Sequence, residues 1–283
     1  MPAAAELIRE VRAALERAGL YNQNEINVLF ECGLGKRPGV LQPDEVIDQA
    51  AADQLRRVLA RRLGGEPLQY IAGRWPFLDF ELEVGPGVLI PRPETEQLAQ
   101  QGVLRLRGKD APRVLDLCSG SGCVAIAIKR ALPEAEVSAL ELSQQALEYL
   151  RHNAKALCGG LRVIQADVLQ AQSLFAQDYF DLITANPPYV TRSDYQENLR
   201  ELEREPEMAF VGGEDGLMFY RHIIPAYLPL LRRGGCMALE TGFDQTETVA
   251  EMMKAAGYTC VEVVCDLFGL PRNVIGCRPD DGV

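Results

Sequence analysis

Four consecutive residues, Asn186-Pro187-Pro188-Tyr189, carry the sharpest chemical signal in the chain. The apolar run before them reads as a strand. Both prolines lack a backbone donor, so the ladder must stop at Asn186 and the chain must turn a rigid corner. The corner presents two acceptors, the Asn186 side-chain carbonyl and the Pro187 backbone carbonyl. Two acceptors at a fixed angle suit a planar NH2 group and hold both of its hydrogens. The nitrogen of an amide or exocyclic amine is a poor nucleophile because its lone pair is delocalised. Fixing both N–H bonds aims the lone pair and favours the loss of planarity that alkylation requires, which is catalysis by positioning and electrostatics. Tyr189 is placed to cover one face of the planar group. The bland alternative is a Pro-Pro strand stop with no chemistry, and the context decides between them.

Upstream, VLDLCSGSG (residues 114–122) reads as strand, acid, glycine turn and helix start. A glycine turn alone fits any nucleotide fold. Here Val124 and Ala125 stand where the third glycine of a dinucleotide fingerprint would fall, and no Gly-Lys-Ser/Thr follows, so a P-loop is excluded. Asp116 would repel a pyrophosphate and would pair with an ammonium group. That favours a cofactor with an amino-acid end and no phosphate, such as S-adenosylmethionine. Glu141 ends the next strand, where an acid hydrogen-bonds ribose hydroxyls. Asp167 ends the third strand, placed to accept from an adenine amino group, with Val168 against the ring. Three acids on surface loops is the competing reading.

Strand ends must be brought side by side for this to work. From Pro112 the pattern is strands at 113–117, 137–140, 161–165, 180–185, 236–240, 259–265 and 273–277, with helices at 124–131, 143–156, 216–231 and 246–256. Such alternation predicts an α/β fold with a doubly wound, mostly parallel, seven-stranded sheet. In open sheets of this kind ligands bind outside the carboxyl ends of the strands. Before it, helices are expected at 3–18, from Asn22 or Asn24 through Phe30, and from Pro43 to Leu63. A turn region at Gly33–Gly39 separates the last two. A hairpin is expected from Phe77–Val84, turned by Gly85-Pro86-Gly87 into Val88–Ile90. Pro93, Glu94 and Glu96 suit the first turn of a further helix. The expected organisation is a helical domain over 1–70, a β-hairpin linker over 71–92 and a catalytic domain over 93–283. Arg56, Arg57, Arg61 and Arg62 form either a solvated face or a partner contact.

The net charge of −11 disfavours non-specific attraction to nucleic acid or an anionic membrane. The first residues carry charges too often for a signal peptide, and no apolar run reaches membrane-spanning length. Eight cysteines without a C-x-x-C, beside two histidines, do not suggest zinc, so no metal is expected. They are expected as buried reduced thiols of a cytoplasmic protein.

With Asn186–Tyr189 downstream of the acid and glycine constellation, the chain resembles the N-P-P-Y class I methyltransferases. More specifically it resembles the glutamine methyltransferases of peptide-chain release factors. The resemblance runs from about residue 5 to 277. It includes GEPLQYIAG (65–73), PGVLIPRPETE (86–96), EPEMAFVGGEDGL (205–217) and DLFGLPRNVIG (266–276). It implies a Rossmann-like methyltransferase domain behind a helical domain that helps to bind the release factor. It implies S-adenosyl-L-methionine as cofactor and the glutamine of a Gly-Gly-Gln loop as target. Carried over, Cys118, Ser119, Gly120, Ser121, Gly122, Glu141, Val168 and Asn186 fall on cofactor positions. Asn186, Pro187, Pro188 and Tyr189 fall on the substrate-glutamine site. A cytoplasmic monomer with no direct nucleic-acid contact is expected. Cys118 replaces a glycine common at that position, and Asp79 stands where similar sequences often have glycine, for which only a loop difference is expected. The alternatives are an adenine N6 or guanine N2 methyltransferase, which would want a basic track and stacking aromatics this acidic chain lacks, and a non-catalytic cofactor-binding protein.

Overall fold

The computed structural model describes residues 1–266 and 269–280, with only the backbone of 200 and 201. Leu267 and Phe268, within the 266–276 segment, lie outside the described residues. The chain forms two compact units, Met1–Trp75 and Pro76–Val283.

The first unit contains α1 (Ala4–Arg17), α2 (Gln23–Leu34), α3 (Gln49–Leu63) and α4 (Leu68–Ala72). Leu7, Val11 and Leu15 of α1, Ile26, Leu29 and Phe30 of α2, and Leu55, Val58 and Leu59 of α3 share one core. Asn22 caps α2 by accepting the Glu25 N–H at 2.9 Å. That helix runs four residues past Phe30 and takes in Gly33, a residue expected in a turn. The reason is contact: a Cβ on Gly33 would lie 2.6 Å from the Leu55 Cα. The chain stops instead at Gly35, in the left-handed region at φ 69°. The third helix starts at Gln49 rather than Pro43, because Asp48 supplies the cap, accepting the Ala50 N–H at 2.9 Å. The short α4 has no counterpart among the expected helices. The arginine cluster is largely paired: Arg56 with Glu10, Arg61 with Glu66 and Arg62 with Glu25.

Next come β1 (Arg74–Phe77) and β2 (Phe80–Glu83), which form a two-stranded sheet. The expected single strand over 77–84 is thus broken at Leu78-Asp79, and 88–90 is not a strand. A two-residue hairpin loop needs positive φ. Leu78 adopts it at 52° and its N–H is held by Glu96 Oε1 at 2.8 Å.

After α5 (Pro93–Leu106) the alternation is β3 (Arg113–Leu117), α6 (Cys123–Ala131), β4 (Glu136–Glu141), α7 (Gln144–Cys158), β5 (Arg162–Gln165) and β6 (Phe180–Ala185). Two short helices, α8 (Arg192–Glu197) and α9 (Leu199–Leu202), lead to α10 (Met218–Tyr227), then β7 (Leu231–Glu240), α11 (Thr246–Ala255), β8 (Thr259–Cys265) and β9 (Pro271–Cys277). The helix expected over 216–231 ends at Tyr227, and Leu228–Leu230 is a 3₁₀ turn holding Pro229. The sheet order is β5-β4-β3-β6-β7-β9-β8, with only β9 antiparallel to its neighbours. The order reverses between β3 and β6, so the carboxyl ends of those two strands flank the crevice where open sheets bind ligands. The core on one face of the sheet contains Tyr220, Tyr227 and Tyr258, all buried, whose hydroxyls reach the Glu240, Val168 and Ile224 carbonyls.

Cys236 and Cys277 face each other in the β7–β9 ladder with Cα atoms 4.0 Å apart and form a disulfide. The expectation of eight reduced thiols fails here, because antiparallel opposition brings two Cβ atoms within bonding reach. Among the rest, Cys123 is buried, Cys260 and Cys265 are exposed, and Cys32, Cys118 and Cys158 are half-buried. Among the described residues, no helix is long and apolar enough to cross a membrane.

Candidate active site

Strands β3 and β6 run parallel in register, Asp116 beside Thr184 and Leu117 beside Ala185. Both are buried over the pairing residues, so the glycine turn after β3 and the proline corner after β6 emerge at one level of the sheet. Asp116 is 2% exposed. Its Oδ1 takes the Thr184 hydroxyl at 2.7 Å, and its Oδ2 is buried without a partner. Burial pushes this carboxyl up to about 7, against the hydrogen bond from Thr184. An unpartnered buried acceptor of this kind fits an incoming cation or hydrogen-bond donor.

The turn after Asp116 is held from several sides. Ser119 N–H goes to the Leu140 carbonyl at 3.0 Å and its hydroxyl to the Asp116 carbonyl at 2.9 Å. Cys118, Gly120 and Gly122 all have positive φ, at 56°, 53° and 88°. A Cβ on Gly122 would collide with Leu150, whereas one on Gly120 would meet nothing within 4 Å. The Gly120 side of the turn is therefore the open side. Cys118 takes the strained conformation that its place in a glycine turn requires. Its thiol is pushed well above the usual value by burial, and then by Glu141, Asp116 and Asp167. Glu141 binds this turn: Oε2 accepts the Gly120 N–H, and Oε1 accepts those of Leu142 and Ser143, all at 2.8 Å. Asp167 Oδ1 accepts the Leu169 N–H at 2.9 Å, and Val168 is buried beneath.

Two chambers open above the strand ends. The larger is lined by Gly120, Glu141, Asp167, Val168, Pro188 and Met208 among others. The smaller is bordered by the side chains of Asp116, Ser119, Ser121, Arg92 and Thr95 among others. Cys118, Gly120, Leu89 and Asn186 border both. The expected residues Asp116, Cys118–Ser121, Glu141, Asp167, Val168, Asn186 and Pro188 are thus gathered around one crevice. Gly122, Pro187 and Tyr189 do not line it.

The corner itself is clamped. The Asn186 NH2 donates to Thr95 Oγ1 at 3.1 Å. Val190 exchanges backbone bonds with Phe210 and Gly212 at 2.8 and 2.9 Å. A Cβ on Gly212 would lie 2.5 Å from the Pro188 carbonyl oxygen, which explains a glycine in the 205–217 segment. Gln245 donates to the Tyr189 carbonyl at 2.9 Å. Tyr189 packs against the sheet's core, and burial raises its phenol far above the usual range. Glu205, 8% exposed, joins the two flanking segments: it takes the Ile90 N–H at 2.9 Å and the Arg92 guanidinium at 2.6 Å.

Sequence reasoning missed Thr95, Glu205 and Gly212. Thr95 looks like a helix-start residue and Glu205 like one of many acids. No spacing rule links Thr95 to a partner 91 residues away or Glu205 to partners 115 and 113 residues away. The one available signal was the pair of segments 86–96 and 205–217, dense in proline, glycine and acids and without an obvious nucleophile or base.

The chain matches two family models, the methyltransferase small domain over residues 98–209 and the PrmC N-terminal domain over 6–73. A solved methyltransferase from Pyrococcus furiosus aligns with TM-score 0.53 at 16% identity, covering 81% of this chain and all of its own, and so shares the fold. The release factor glutamine methyltransferase of Thermodesulfovibrio yellowstonii is 40% identical over 81% of this chain and 82% of its own length. That of Bordetella pertussis is 38% identical over 88% and 92%. Identity at that level over more than four-fifths of both chains shows that the chain belongs to the release factor glutamine methyltransferase family.

Proposed function

We propose that the chain transfers a methyl group from S-adenosyl-L-methionine to the side-chain amide nitrogen, N5, of the glutamine in the Gly-Gly-Gln loop of class 1 peptide-chain release factors. The observation that carries the reading is the Asn186 carboxamide. Its NH2 is turned to Thr95, which leaves Oδ1 as an acceptor at the border of both chambers.

S-adenosyl-L-methionine supplies a methyl group on a positively charged sulfur, already activated for transfer, so the reading assigns no metal. Asp116 receives the ammonium group of the cofactor's amino-acid end, which its unpartnered Oδ2 supports. The open face of Cys118–Gly122 gives room for that end. Glu141 has lone pairs left over from its backbone bonds and takes ribose hydroxyls. Asp167 and Val168 take the adenine edge and face. Asn186 Oδ1 takes one N–H bond of the substrate amide, the Pro187 carbonyl is assigned the other although Pro187 is not among the crevice's lining residues, and Tyr189 stiffens the corner from the core side. In the reaction the amide nitrogen forms one N–C bond, the S–C pair returns to sulfur, leaving S-adenosyl-L-homocysteine, and one N–H proton leaves to water. A lysine ammonium in place of the amide would bring positive charge against the sulfonium.

The helical unit is assigned to gripping the release factor, so short isolated peptides should react poorly. The net charge of −11 supports a protein substrate without direct nucleic-acid contact. The reading takes the enzyme as a cytoplasmic monomer. The test is fragment mass spectrometry of a purified release factor after incubation with enzyme and cofactor. One methyl on the Gly-Gly-Gln glutamine, absent when that residue is replaced by asparagine, is expected. Label entering DNA or RNA with the factor untouched would overturn the reading in favour of an adenine N6 or guanine N2 methyltransferase.

A further inference from the structure

Glu240 is a buried carboxylate with no part in the proposed reaction. It ends β7, one step beyond the Leu239 that pairs with Ala185, and so lies beside Asn186 at the same level of the sheet. It is 1% exposed and its Oε2 has no hydrogen-bond partner. The Tyr220 hydroxyl holds its backbone carbonyl at 2.8 Å. Burial pushes the carboxyl up to about 7, while hydrogen bonds from Thr95 and Asn186 pull the other way. Thr95 is 2% exposed in the first turn of α5. Its Oγ1 already accepts from the Asn186 NH2 at 3.1 Å, so its own proton is free for another acceptor, and a hydrogen bond from Thr95 is among the influences that lower the Glu240 carboxyl.

A carboxamide has two ends of nearly equal size and opposite hydrogen-bonding sense. Only Oδ1 of Asn186 can accept from a substrate NH2; the other end would set N–H against N–H. Behind Asn186 lie an acceptor oxygen of Thr95 and a carboxylate. Turned the other way, the carboxamide would face oxygen with oxygen on that side and present donors to the substrate.

We infer that Glu240, acting through Thr95, is a positioning residue that holds the Asn186 carboxamide with Oδ1 toward the substrate amide. The inference rests on the role proposed for Asn186. It adds a requirement for two residues that touch neither the methyl group nor the amide that receives it.

The test is a mutant cycle. Thr95→Val keeps shape and removes the hydroxyl; Thr95→Ser keeps the hydroxyl. Thr95→Val should lower kcat about thirtyfold, with KM for the release factor and calorimetric cofactor affinity within about threefold, because only an oriented acceptor is lost. Thr95→Ser should restore kcat to within about threefold of the parent. In an Asn186→Ala background Thr95→Val should cost less than about twofold, since no carboxamide is left to orient. Glu240→Gln keeps an acceptor for Thr95 and should retain activity, whereas Glu240→Leu should behave like Thr95→Val. If Glu240→Leu does not fold, the Thr95 cycle decides alone. A Thr95→Val cost that is equal in both backgrounds, or absent in the parent, overturns the inference. If Asn186→Ala itself leaves turnover intact, it is the role of Asn186 that falls.

Discussion

Glu141 Oε2 accepts the Gly120 N–H at 2.8 Å across twenty-one residues of sequence. One carboxylate therefore fixes the open side of the glycine turn and faces the larger chamber. Glu141→Ala should weaken S-adenosylmethionine binding by about 1.5–3 kcal/mol, the range for hydrogen bonds to a charged group. It should also speed amide exchange at Gly120. Titration calorimetry and hydrogen exchange measure the two effects. Saturating cofactor should recover most of the rate; failure to do so would place Glu141 in the chemical step instead.

On the role proposed for Asp116, cofactor affinity should depend on pH. The Asp116 carboxyl stands at about 7, raised by burial, with Glu141 adding to the rise and Thr184 opposing it. An ammonium partner needs the ionised form. Below pH 7 the affinity should therefore fall by up to about tenfold per pH unit, as one proton must be expelled. Asp116→Asn should bind weakly at every pH with no such slope.

The same carboxyl acts in the opposite direction on the ligand-free fold, and Glu240 joins it. Glu240 also stands at about 7, through burial and the nearby Glu94, with Thr95 and Arg272 opposing. Between about pH 4 and 7 each binds a proton in the fold that the unfolded chain has released. Their contribution is complete below about 4 and is lost as pH rises through 7, by up to about 1.4 kcal/mol per pH unit for each group. Denaturant unfolding of the ligand-free protein at pH 5, 6, 7 and 8 should show declining stability. A flat or rising profile would mean that both carboxyls are ionised.

Asn186→Ala should leave cofactor affinity within about tenfold and lower turnover about 100-fold, the cost of one well-placed acceptor in the transition state. Calorimetry and single-turnover rates separate the two. Near-normal turnover is the outcome that would remove Asn186 from the chemistry.

Glu205→Ala should destabilise the protein by about 2–4 kcal/mol, because it leaves the Ile90 N–H and the Arg92 guanidinium without their shared partner. Arg92 is one-third exposed and can regain water, which keeps the cost at the lower end. Thermal and denaturant unfolding check it, and Glu205→Gln should recover part of the loss.

The strands at 113–117, 180–185 and 259–265 were readable because apolar runs end there at glycine, proline or a charged turn. The site's acids were readable for a related reason: residues at the carboxyl ends of successive strands fall in one place whatever the loops do. Strand β7 was read five residues short. Arg232-Arg233-Gly234-Gly235 looks like a loop, yet Leu231 pairs with Phe180 and Arg232 reaches the buried Asp181 at 3.2 Å. The disulfide was hidden because its two cysteines stand forty-one residues apart and oppose each other only once β7 and β9 pair. Glu240 was hidden because a strand-end acid that binds a ligand and one that orients another residue have the same letter in the same place. Only the partners each acid meets in the folded chain distinguish them.

The position of β9 has a consequence for synthesis. Among the described residues it is the last strand in sequence, yet it lies between β7 and β8, and β8 pairs there with β9 alone. While the chain is being made, β8 emerges before the strand it must pair with, and β7 keeps an open edge. An unpaired edge beside an apolar strand invites pairing with other chains. The nascent protein is therefore most exposed to misassembly just before its last strand emerges, and nicks or truncations ahead of Pro271 should shift it from soluble enzyme to aggregate even though the cofactor crevice is complete by then.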